Sequence, residues 1–227
     1  MVCVDVQASC GLGGVQNQGD TAACSGYVVA ALCACGGVAS ADPRAIYTEA
    51  LEYDGKTDVD GGVPLVSAVR SVQRRGVPTL QGGRVDAPPL VAAPNSVAHL
   101  QEILTSGRAV AAVICLTERV RDFFGEPAAD NHVLRDAGRA PRRDDSGHAI
   151  LIVGCSDVGG GSFLARSSWT SGWGWQGGFF IPYAALPLLE QLYTLHGTGT
   201  GWSDAQPRRG GAALGLAAGA AFALCML

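Results

Sequence analysis

The pattern of apolar and polar positions changes in kind near residue 107, and the part before it has the spacing of helices. Residues 24–35 form an apolar stretch rich in Ala and Val that follows a polar run and stops at two glycines, which predicts a buried helix. Further helices with cap, proline or glycine signals at their ends are predicted at residues 42–52, 64–76 and 96–106. The helix from Pro64 should present an apolar face made by Leu65, Val66, Val69 and Val72.

The part after residue 107 carries short apolar runs that are typical of strands. These runs cover residues 109–116, 149–154, 162–168 and 179–182. Residues 123–145 are rich in Asp, Arg, Gly and Pro, and are predicted to form a long surface loop between strands. Because the helices come first and the strands second, the pattern predicts an α+β fold in which a mostly helical lobe faces a sheet or barrel lobe.

The chain is expected to divide into one folded unit and a tail. A length of 227 residues can bury a substantial core, and residues 1–197 are assigned to one domain, with a helical lobe at about 15–95 and a β lobe at about 108–185. Residues 198–211 form a Gly/Ser/Pro-rich linker, and residues 212–227 form an uncharged apolar tail. This tail is either a membrane attachment, as a short anchor or the cleaved signal of a lipid-anchored protein, or a disordered or misassigned end.

Charge and cysteine spacing exclude several classes of function. The formal net charge is -4 and Lys56 is the only lysine, so there is no basic stripe for nucleic acid. The eight cysteines lack the regular spacing of a disulfide framework and include no C-x-x-C pair for zinc, and neither a metal nor another cofactor is expected. Cys115 and Cys155 lie in apolar runs and should be buried, inert thiols. Whether Cys3 pairs with Cys10 stays open.

Three residues have the properties that a thiol hydrolase needs. Cys24 opens a predicted helix, where the partial positive charge of the helix start favours a thiolate. Gln18 precedes it in a glycine-containing turn and could aim an amide N–H at a developing oxyanion, with the Cys24 backbone N–H as second donor. His148 begins an apolar strand after a polar loop, and could take and return a proton. Taken alone, each of these residues is more often structural.

Three blocks of sequence resemble the papain-like cysteine peptidase family. Residues 15–27 (VQNQGDTAACSGY) are similar to the stretch around the family's oxyanion glutamine and nucleophilic cysteine. Residues 147–154 (GHAILIVG) resemble its histidine strand, and residues 163–183 (FLARSSWTSGWGWQGGFFIPY) resemble its asparagine-serine-tryptophan segment with the strand that follows. The blocks occur in the family's order, and fainter likeness elsewhere extends the resemblance over about residues 15–195.

The resemblance implies a two-lobed papain-like fold, with a helical left lobe, an antiparallel β-barrel-like right lobe and the active-site cleft between them. It also implies that Gln18 completes the oxyanion hole, that Cys24 attacks the scissile carbonyl, and that His148 carries the proton. The substrate-binding residues that it implies are Gly61, Gly62, Pro64, Gly147, Trp169 and Trp173.

Some of these substrate-binding residues have specific expected roles. Gly62 falls where family members pair backbone to backbone with an extended substrate, and Pro64 falls where they line the pocket for the second residue before the cut. Trp169 should shield the hydrogen bond of the histidine from water, and Trp173 should wall the leaving-group side. The alternative for both tryptophans is plain core packing.

The sequence departs from the family's pattern at three positions of the site. Ser167 stands where the family has the asparagine that accepts a hydrogen bond from the histidine, and its hydroxyl is shorter. The orientation of His148 should therefore be weaker, and the aspartates at 144 and 145 are candidates to substitute. Ser25 replaces a large aromatic residue, and Thr21 replaces a cysteine that usually staples the glutamine turn through a disulfide.

The sequence predicts a cysteine-type peptidase that hydrolyses peptide bonds through an acyl-enzyme on Cys24. The alternatives are a peptidase-like binding module that lost efficient turnover, because of Ser167, and another thiol-dependent chemistry such as transpeptidation. The expected partners are a peptide or protein substrate and an inhibitor or pro-segment. The N-terminus lacks the pattern of a signal peptide, so the compartment stays open, although the resemblance favours a secretory, lysosomal or extracellular setting.

Overall fold

The computed structural model of the chain describes residues 3–6, 14–57, 61–125, 132–135, 138–142 and 144–197. The predicted linker at 198–211 and the apolar tail at 212–227 lie outside these residues. The question whether Cys3 pairs with Cys10 also lies outside the described residues, because Cys10 is not among them.

Three helices form the first lobe, and all three were predicted. They are α1 (Cys24–Cys35), α2 (Pro43–Tyr53) and α3 (Leu65–Arg75). Asp42 caps α2, since its carboxylate accepts the backbone N–H groups of the first turn at 3.0 and 3.1 Å, and a proline opens the helix. The first two helices approach closely at Gly26, where a Cβ atom would lie 2.3 Å from the Pro43 carbonyl oxygen. A side chain at Gly26 would therefore push the two helices apart.

An antiparallel sheet forms the second lobe, as predicted. Its hydrogen-bonded order is β4-β9-β5-β6-β7-β8, β1 pairs with the end of β6, and β2 and β3 make a separate hairpin. In the part of the chain that the structure describes, the two outer strands β4 and β8 do not pair with each other, so the sheet is open rather than a closed barrel. The strands are β1 (Cys3–Asp5), β2 (Val77–Pro78), β3 (Arg84–Val85), β4 (Leu90–Ala92), β5 (Val110–Cys115), β6 (Gly147–Ser156), β7 (Ser162–Arg166), β8 (Gly178–Pro182) and β9 (Leu189–Leu195).

Both faces of the sheet are buried, which explains the nearly continuous apolar run of β6. One face, with Ala149 and Leu151, shares an apolar core with α1, α2 and α3. The opposite face, with Ile150 and Ile152, shares a second core with α4 (Val97–Thr105) and α5 (Glu118–Gly125). A strand covered on both sides loses the alternation of apolar and polar residues. The seam between the lobes is therefore set by the α1 face of β6.

Several elements differ from the sequence prediction. Helix α5 was not predicted, and its last turn falls inside the supposed surface loop at 123–145. The short strands β1 to β4 and the longer β9 were missed as well. On α3 the predicted apolar face is confirmed for Leu65, Val69 and Val72, but Val66 is only half-buried and Ala68 is buried in its place.

Two features are absent from the described part of the chain. In these residues no helix combines the length and apolar character needed to cross a bilayer. They also contain no group of three or more His, Cys, Asp or Glu side chains that could hold a metal ion.

Candidate active site

Cys24 is the first residue of α1 and lies at the positive end of that helix. The preceding residue, Ala23, offers no side-chain cap, and the first turn contains no acidic residue. The partial charge of the helix start is therefore not offset by a side chain of that turn, and it favours the thiolate form of Cys24. Cys24 is 7% exposed, so only a small part of it is accessible to a reagent or substrate.

The turn before α1 holds Gln18 through hydrogen bonds. Its Nε2 donates to the Thr21 carbonyl oxygen, and its Oε1 accepts from the Ser168 hydroxyl. The Gln18 backbone N–H donates to the Ser168 carbonyl oxygen at 2.8 Å, and the Thr21 hydroxyl donates to the Gln18 carbonyl oxygen at 2.7 Å. Thr21 thus braces the turn without a disulfide. A primary amide carries two N–H groups, so the contact with Thr21 leaves one for a ligand.

The two ring nitrogens of His148 have different surroundings. Nε2 lies 3.2 Å from the Ser167 hydroxyl, in the contact that the sequence predicted. Nδ1 is buried, and it has no hydrogen-bond partner among the described residues. A neutral imidazole that donates its Nε2 proton to Ser167 keeps Nδ1 as an acceptor. Leaving such a buried atom without a partner costs about 1–3 kcal/mol, which points to a role in binding or in chemistry.

Aromatic rings enclose His148. The ring of Trp169 stacks on the imidazole, with 4.7 Å between centroids and 24° between planes. Phe124 meets the imidazole edge to face at 5.4 Å and stacks on Trp173 at 5.5 Å. Because of these rings His148 is fully buried. Trp173 packs partly buried against the second core, and its Nε1 is buried without a hydrogen-bond partner among the described residues.

The sequence reasoning missed Phe124, which α5 supplies to the site. The signal was present, because Val120, Phe123 and Phe124 have the i, i+3, i+4 spacing of a helix face. All three are buried in the second core. The composition of the following residues, rich in Gly, Pro and Asp, led to the prediction of a loop.

Asp145 does not replace the missing asparagine. Its carboxylate accepts both terminal nitrogens of Arg139, and it accepts the backbone N–H of Arg142 at 2.7 Å. These contacts, the hydrogen bond from Arg139 foremost, lower the pKa of Asp145 below its ordinary value. The neighbouring Asp144 is exposed. The observed partner of the imidazole Nε2 is Ser167.

The predicted substrate-binding segment of the helical lobe is tied down at its carbonyl groups. The Tyr47 hydroxyl donates to the Gly61 carbonyl oxygen at 2.8 Å, and the Lys56 ammonium donates to the Gly62 carbonyl oxygen at 3.1 Å. Asp54 pairs with the same ammonium at 3.2 Å. An extended ligand that pairs with Gly62 would therefore share this carbonyl with Lys56. Pro64 is buried beside it at the start of α3.

Gln191 joins the two lobes across this segment. It lies on β9 with a left-handed backbone (φ 49°), where the register with β5 shifts. Its side-chain oxygen accepts a hydrogen bond from the backbone N–H of Val66 at 3.1 Å, in the first turn of α3. Pro64 directly precedes this turn.

On the sheet side, Gly147 has no room for a side chain, because a Cβ atom there would lie 2.5 Å from Val113 Cγ1.

Two other thiols lie in surroundings that disfavour ionisation. Burial raises the pKa of Cys33 to about 12. Burial, with the nearby Glu190 carboxylate, also raises the pKa of Cys115 to about 12. Both Cys115 and Cys155 are buried, as predicted for inert thiols.

Two adjacent serines hold the side chains of Gln18 and His148 through hydrogen bonds. Ser168 holds Gln18, and the adjacent Ser167 contacts His148, so one short segment supports both side chains. Cys24 lies in the apolar core that also contains Ala149, the neighbour of His148. Nδ1 of His148 is buried and lacks a hydrogen-bond partner among the described residues.

Solved structures of cysteine proteases resemble this chain in fold. Xylellain, a cysteine protease from Xylella fastidiosa, matches with a TM-score of 0.68 and 18% identity over 87% of this chain and 86% of that one. The Carica candamarcensis cysteine protease CMS1MS2, in complex with E-64, matches with a TM-score of 0.63 and 17% identity, over 85% of this chain and 97% of that chain. Digestive procathepsin L 3 of Tenebrio molitor larval midgut matches with a TM-score of 0.64 and 18% identity, over 85% of this chain and 69% of that chain.

Sequence comparisons add no further assignment. No family model matches the chain, and no curated protein matches it either. The likeness therefore concerns the fold, and the chain has the papain-like fold that its sequence predicted.

Proposed function

We propose that the chain is a cysteine peptidase that hydrolyses peptide bonds through an acyl-enzyme on Cys24. The observation that carries this proposal is that the two ring nitrogens of His148 differ in their surroundings. Nε2 contacts the Ser167 hydroxyl at 3.2 Å, whereas Nδ1 is buried and has no hydrogen-bond partner among the described residues. A buried acceptor nitrogen and a thiol at an uncapped helix start are the two groups that thiol activation requires. The papain-like fold supports the proposal.

The proposed reaction assigns the proton transfers to His148 and the nucleophilic attack to Cys24. Nδ1 of His148 takes the proton of the Cys24 thiol, and the thiolate attacks the carbonyl carbon of the peptide bond. Histidine then gives its proton to the leaving amine, and the carbon–nitrogen bond breaks to leave a thioester on Cys24. A water molecule attacks the thioester, His148 takes the water proton, and the acid product departs as the thiol is restored.

The negative charge that develops on the carbonyl oxygen needs donors. The remaining N–H of the Gln18 amide and the backbone N–H of Cys24 would supply them. Gln18 is 1% exposed and anchored at its other amide positions, so its donor needs little rearrangement during the reaction. Trp169, stacked on the imidazole, would keep water from competing for the Nε2 proton.

Labelling with a thiol-directed probe tests this function. An epoxide probe or iodoacetamide should modify Cys24 rapidly at neutral pH, and the Cys24→Ala variant should lose that rapid phase together with all peptide hydrolysis. Cys35→Ala is the matched control, because it removes a half-buried thiol from the same helix, and it should keep both. Equal labelling of the Cys24→Ala variant and the unmodified chain would rule against an activated Cys24.

A second candidate is a peptidase-like module that binds peptides without efficient turnover. Ser167 favours it, because a hydroxyl reaches less far than a carboxamide and can rotate. The Lys56 ammonium on the Gly62 carbonyl oxygen favours it as well. Ser167→Asn separates the two candidates: a large gain in hydrolysis indicates a weakened enzyme, and peptide binding without hydrolysis in both forms indicates a binding module.

A further inference from the structure

A cavity borders Ser167 and Ser168, the residues that support the candidate active site. Its volume is about 250 Å³, close to the lower end of the range for small-ligand pockets. It is lined by α1 on one side, by β6 and β7 on another, and by the stretch that leads to Gln18 on a third. We call it the α1–β7 cavity. Neither Cys24 nor His148 is among its lining residues.

Three of the α1 residues that line the cavity are alanines, and they lie beside Tyr27 and Val28. Ala30, Ala31 and Ala34 line its helix wall and follow one another at helical spacing. Their side chains end at Cβ, whereas protein interiors are normally filled to crystal-like density. The alanines therefore leave space between this wall and the sheet, and a larger side chain there would narrow it.

The opposite wall carries a cation beside an apolar surface. Arg166 and Leu151 are directly paired across β7 and β6, and both line the cavity. Burial lowers the pKa of the Arg166 guanidinium, an effect that Asp5 partly offsets. Its Nη1 donates to the Gln176 carbonyl oxygen at 2.9 Å. A guanidinium has five N–H donors, so the bond to Gln176 uses one of them, and the Asp5 carboxylate is close enough to act on its charge.

We propose that the α1–β7 cavity binds a small apolar carboxylate, with the carboxylate on Arg166 and the hydrocarbon part against the alanines of α1. A partly desolvated guanidinium gains most from a planar anion that accepts two parallel hydrogen bonds. The apolar walls and the limited volume select a branched aliphatic acid of about the size of one amino-acid residue. Arg166 thus determines the charged end of the ligand, and the alanines of α1 determine its apolar end.

The position of the cavity couples it to the candidate active site. Ser167 and Ser168 follow Arg166 directly and also line the cavity, and these are the residues that contact His148 and Gln18. A ligand on Arg166 would hold this segment in place and so fix the imidazole and the amide. This coupling rests on the proposed function, whereas the binding site itself does not.

Calorimetric titration of the full chain with 4-methylpentanoate tests the site. The acid should bind, and 4-methylpentanamide, which has the same shape without the charge, should bind at least about tenfold more weakly. Arg166→Gln should weaken binding of the acid by a similar factor, while Arg74→Gln, which removes an exposed arginine of α3, should not. Equal binding of acid and amide, or equal binding by Arg166→Gln, would overturn the site.

A second variant guards against misfolding of Arg166→Gln. Ala34→Leu keeps the charge and narrows the cavity, so it should also weaken binding of the acid while its circular dichroism and Tm stay close to those of the unmodified chain. Undiminished binding by this variant would place the acid elsewhere. N-acetyl-glycyl-leucine, tested as acid and as amide, separates the two sources of such a carboxylate: tighter binding than 4-methylpentanoate indicates a chain terminus, and weaker binding indicates a free acid.

The coupling has its own measurement. Saturating 4-methylpentanoate should raise the rate constant for alkylation of Cys24 by iodoacetamide about fivefold, and Arg166→Gln should show no such change. Binding with an unchanged alkylation rate would overturn the coupling. If no peptide is hydrolysed but binding of the acid still depends on Arg166, the proposed function fails and the site stands.

Discussion

At the scale of single residues, Ser168 and Ser167 determine how well the candidate site is organised. One hydroxyl fixes the Gln18 amide, and the other meets the imidazole of His148. Both serines are buried, so their hydrogen bonds compete little with water and hold their partners in one orientation. The loss of either hydroxyl should therefore affect chemistry more than ground-state binding.

Ser168→Ala should weaken the oxyanion hole. The variant frees Oε1 of Gln18, so the amide can rotate away from the developing charge, and kcat should fall by about tenfold with little change in KM. The inhibition constant of a peptide aldehyde, which forms a charged tetrahedral adduct with a thiol, should rise by a similar factor. Ser171→Ala, at an exposed position of the same loop, is the control, and an unaltered aldehyde affinity of Ser168→Ala would contradict the role of this brace.

Ser71→Ala should stabilise the chain. The Ser71 side chain on α3 is fully buried, and its hydroxyl has no hydrogen-bond partner among the described residues. Alanine removes this unsatisfied group and has a higher helix propensity, so the free energy of unfolding should rise by about 1 kcal/mol. Urea denaturation followed by circular dichroism measures the change. A lower midpoint would contradict this prediction. It would mean that the hydroxyl has a partner outside the described residues, or that losing its volume costs more than removing the unsatisfied group gains.

At the scale of secondary structure, the sequence predicted the elements that have clear end signals. Helices α1 to α4 have glycine, proline or cap residues at their ends, and β5 to β8 have dense apolar runs. Strand β9 escaped because its shift in register at Gln191 breaks the alternation that marks a strand. Strand β4 has three residues flanked by prolines and is too short for any periodicity.

Gln191→Ala should loosen the first turn of α3. That helix begins at Pro64 without a side-chain cap of its own, and the Gln191 oxygen accepts the N–H of Val66 in place of one. Loss of a cap costs about 1 kcal/mol, so hydrogen exchange of the Val66 amide should become about fivefold faster. Because Gly62 and Pro64 precede this turn, KM for peptides should also rise.

The exchange measurement for Gln191 does not depend on turnover. Gln81→Ala is the matched control, since Gln81 is exposed in the turn before β3, and it should leave both the exchange rate and KM unchanged. If the Val66 amide exchanges equally fast with and without Gln191, the hydrogen bond between the lobes does not persist in solution.

At the scale of the whole molecule, the two-lobed architecture was predictable from the order of helices and strands, together with the resemblance. The contacts between distant segments were not. Phe124 reaches His148 from a helix that the composition of its surroundings concealed, and the pairing of β4 with β9 joins residues about a hundred positions apart. Such contacts are determined by tertiary packing, which no local pattern encodes.

The segment before β6 shows how one ion pair can make the stability of the whole molecule depend on pH. Asp145 is 4% exposed at its side chain and pairs with Arg139, which is 35% exposed. The folded state lowers the pKa of Asp145, so the carboxylate contributes stability at every pH above its unfolded pKa of about 3.9. This contribution is lost as the pH falls through the lower folded value.

Asp145→Asn should therefore lower the Tm at pH 7, and the difference from the unmodified chain should shrink as the pH falls below about 4. Asparagine keeps the shape of the side chain but removes the charge that Arg139 and the Arg142 N–H recognise, so at neutral pH the variant lacks the contribution that the unmodified chain loses in acid. Asp144→Asn is the control at the adjacent, exposed position, and its Tm should match that of the unmodified chain throughout. Thermal unfolding followed by circular dichroism from pH 3 to pH 8 decides the matter, because a difference that stays constant over this range would show that Asp145 acts through packing rather than through its charge.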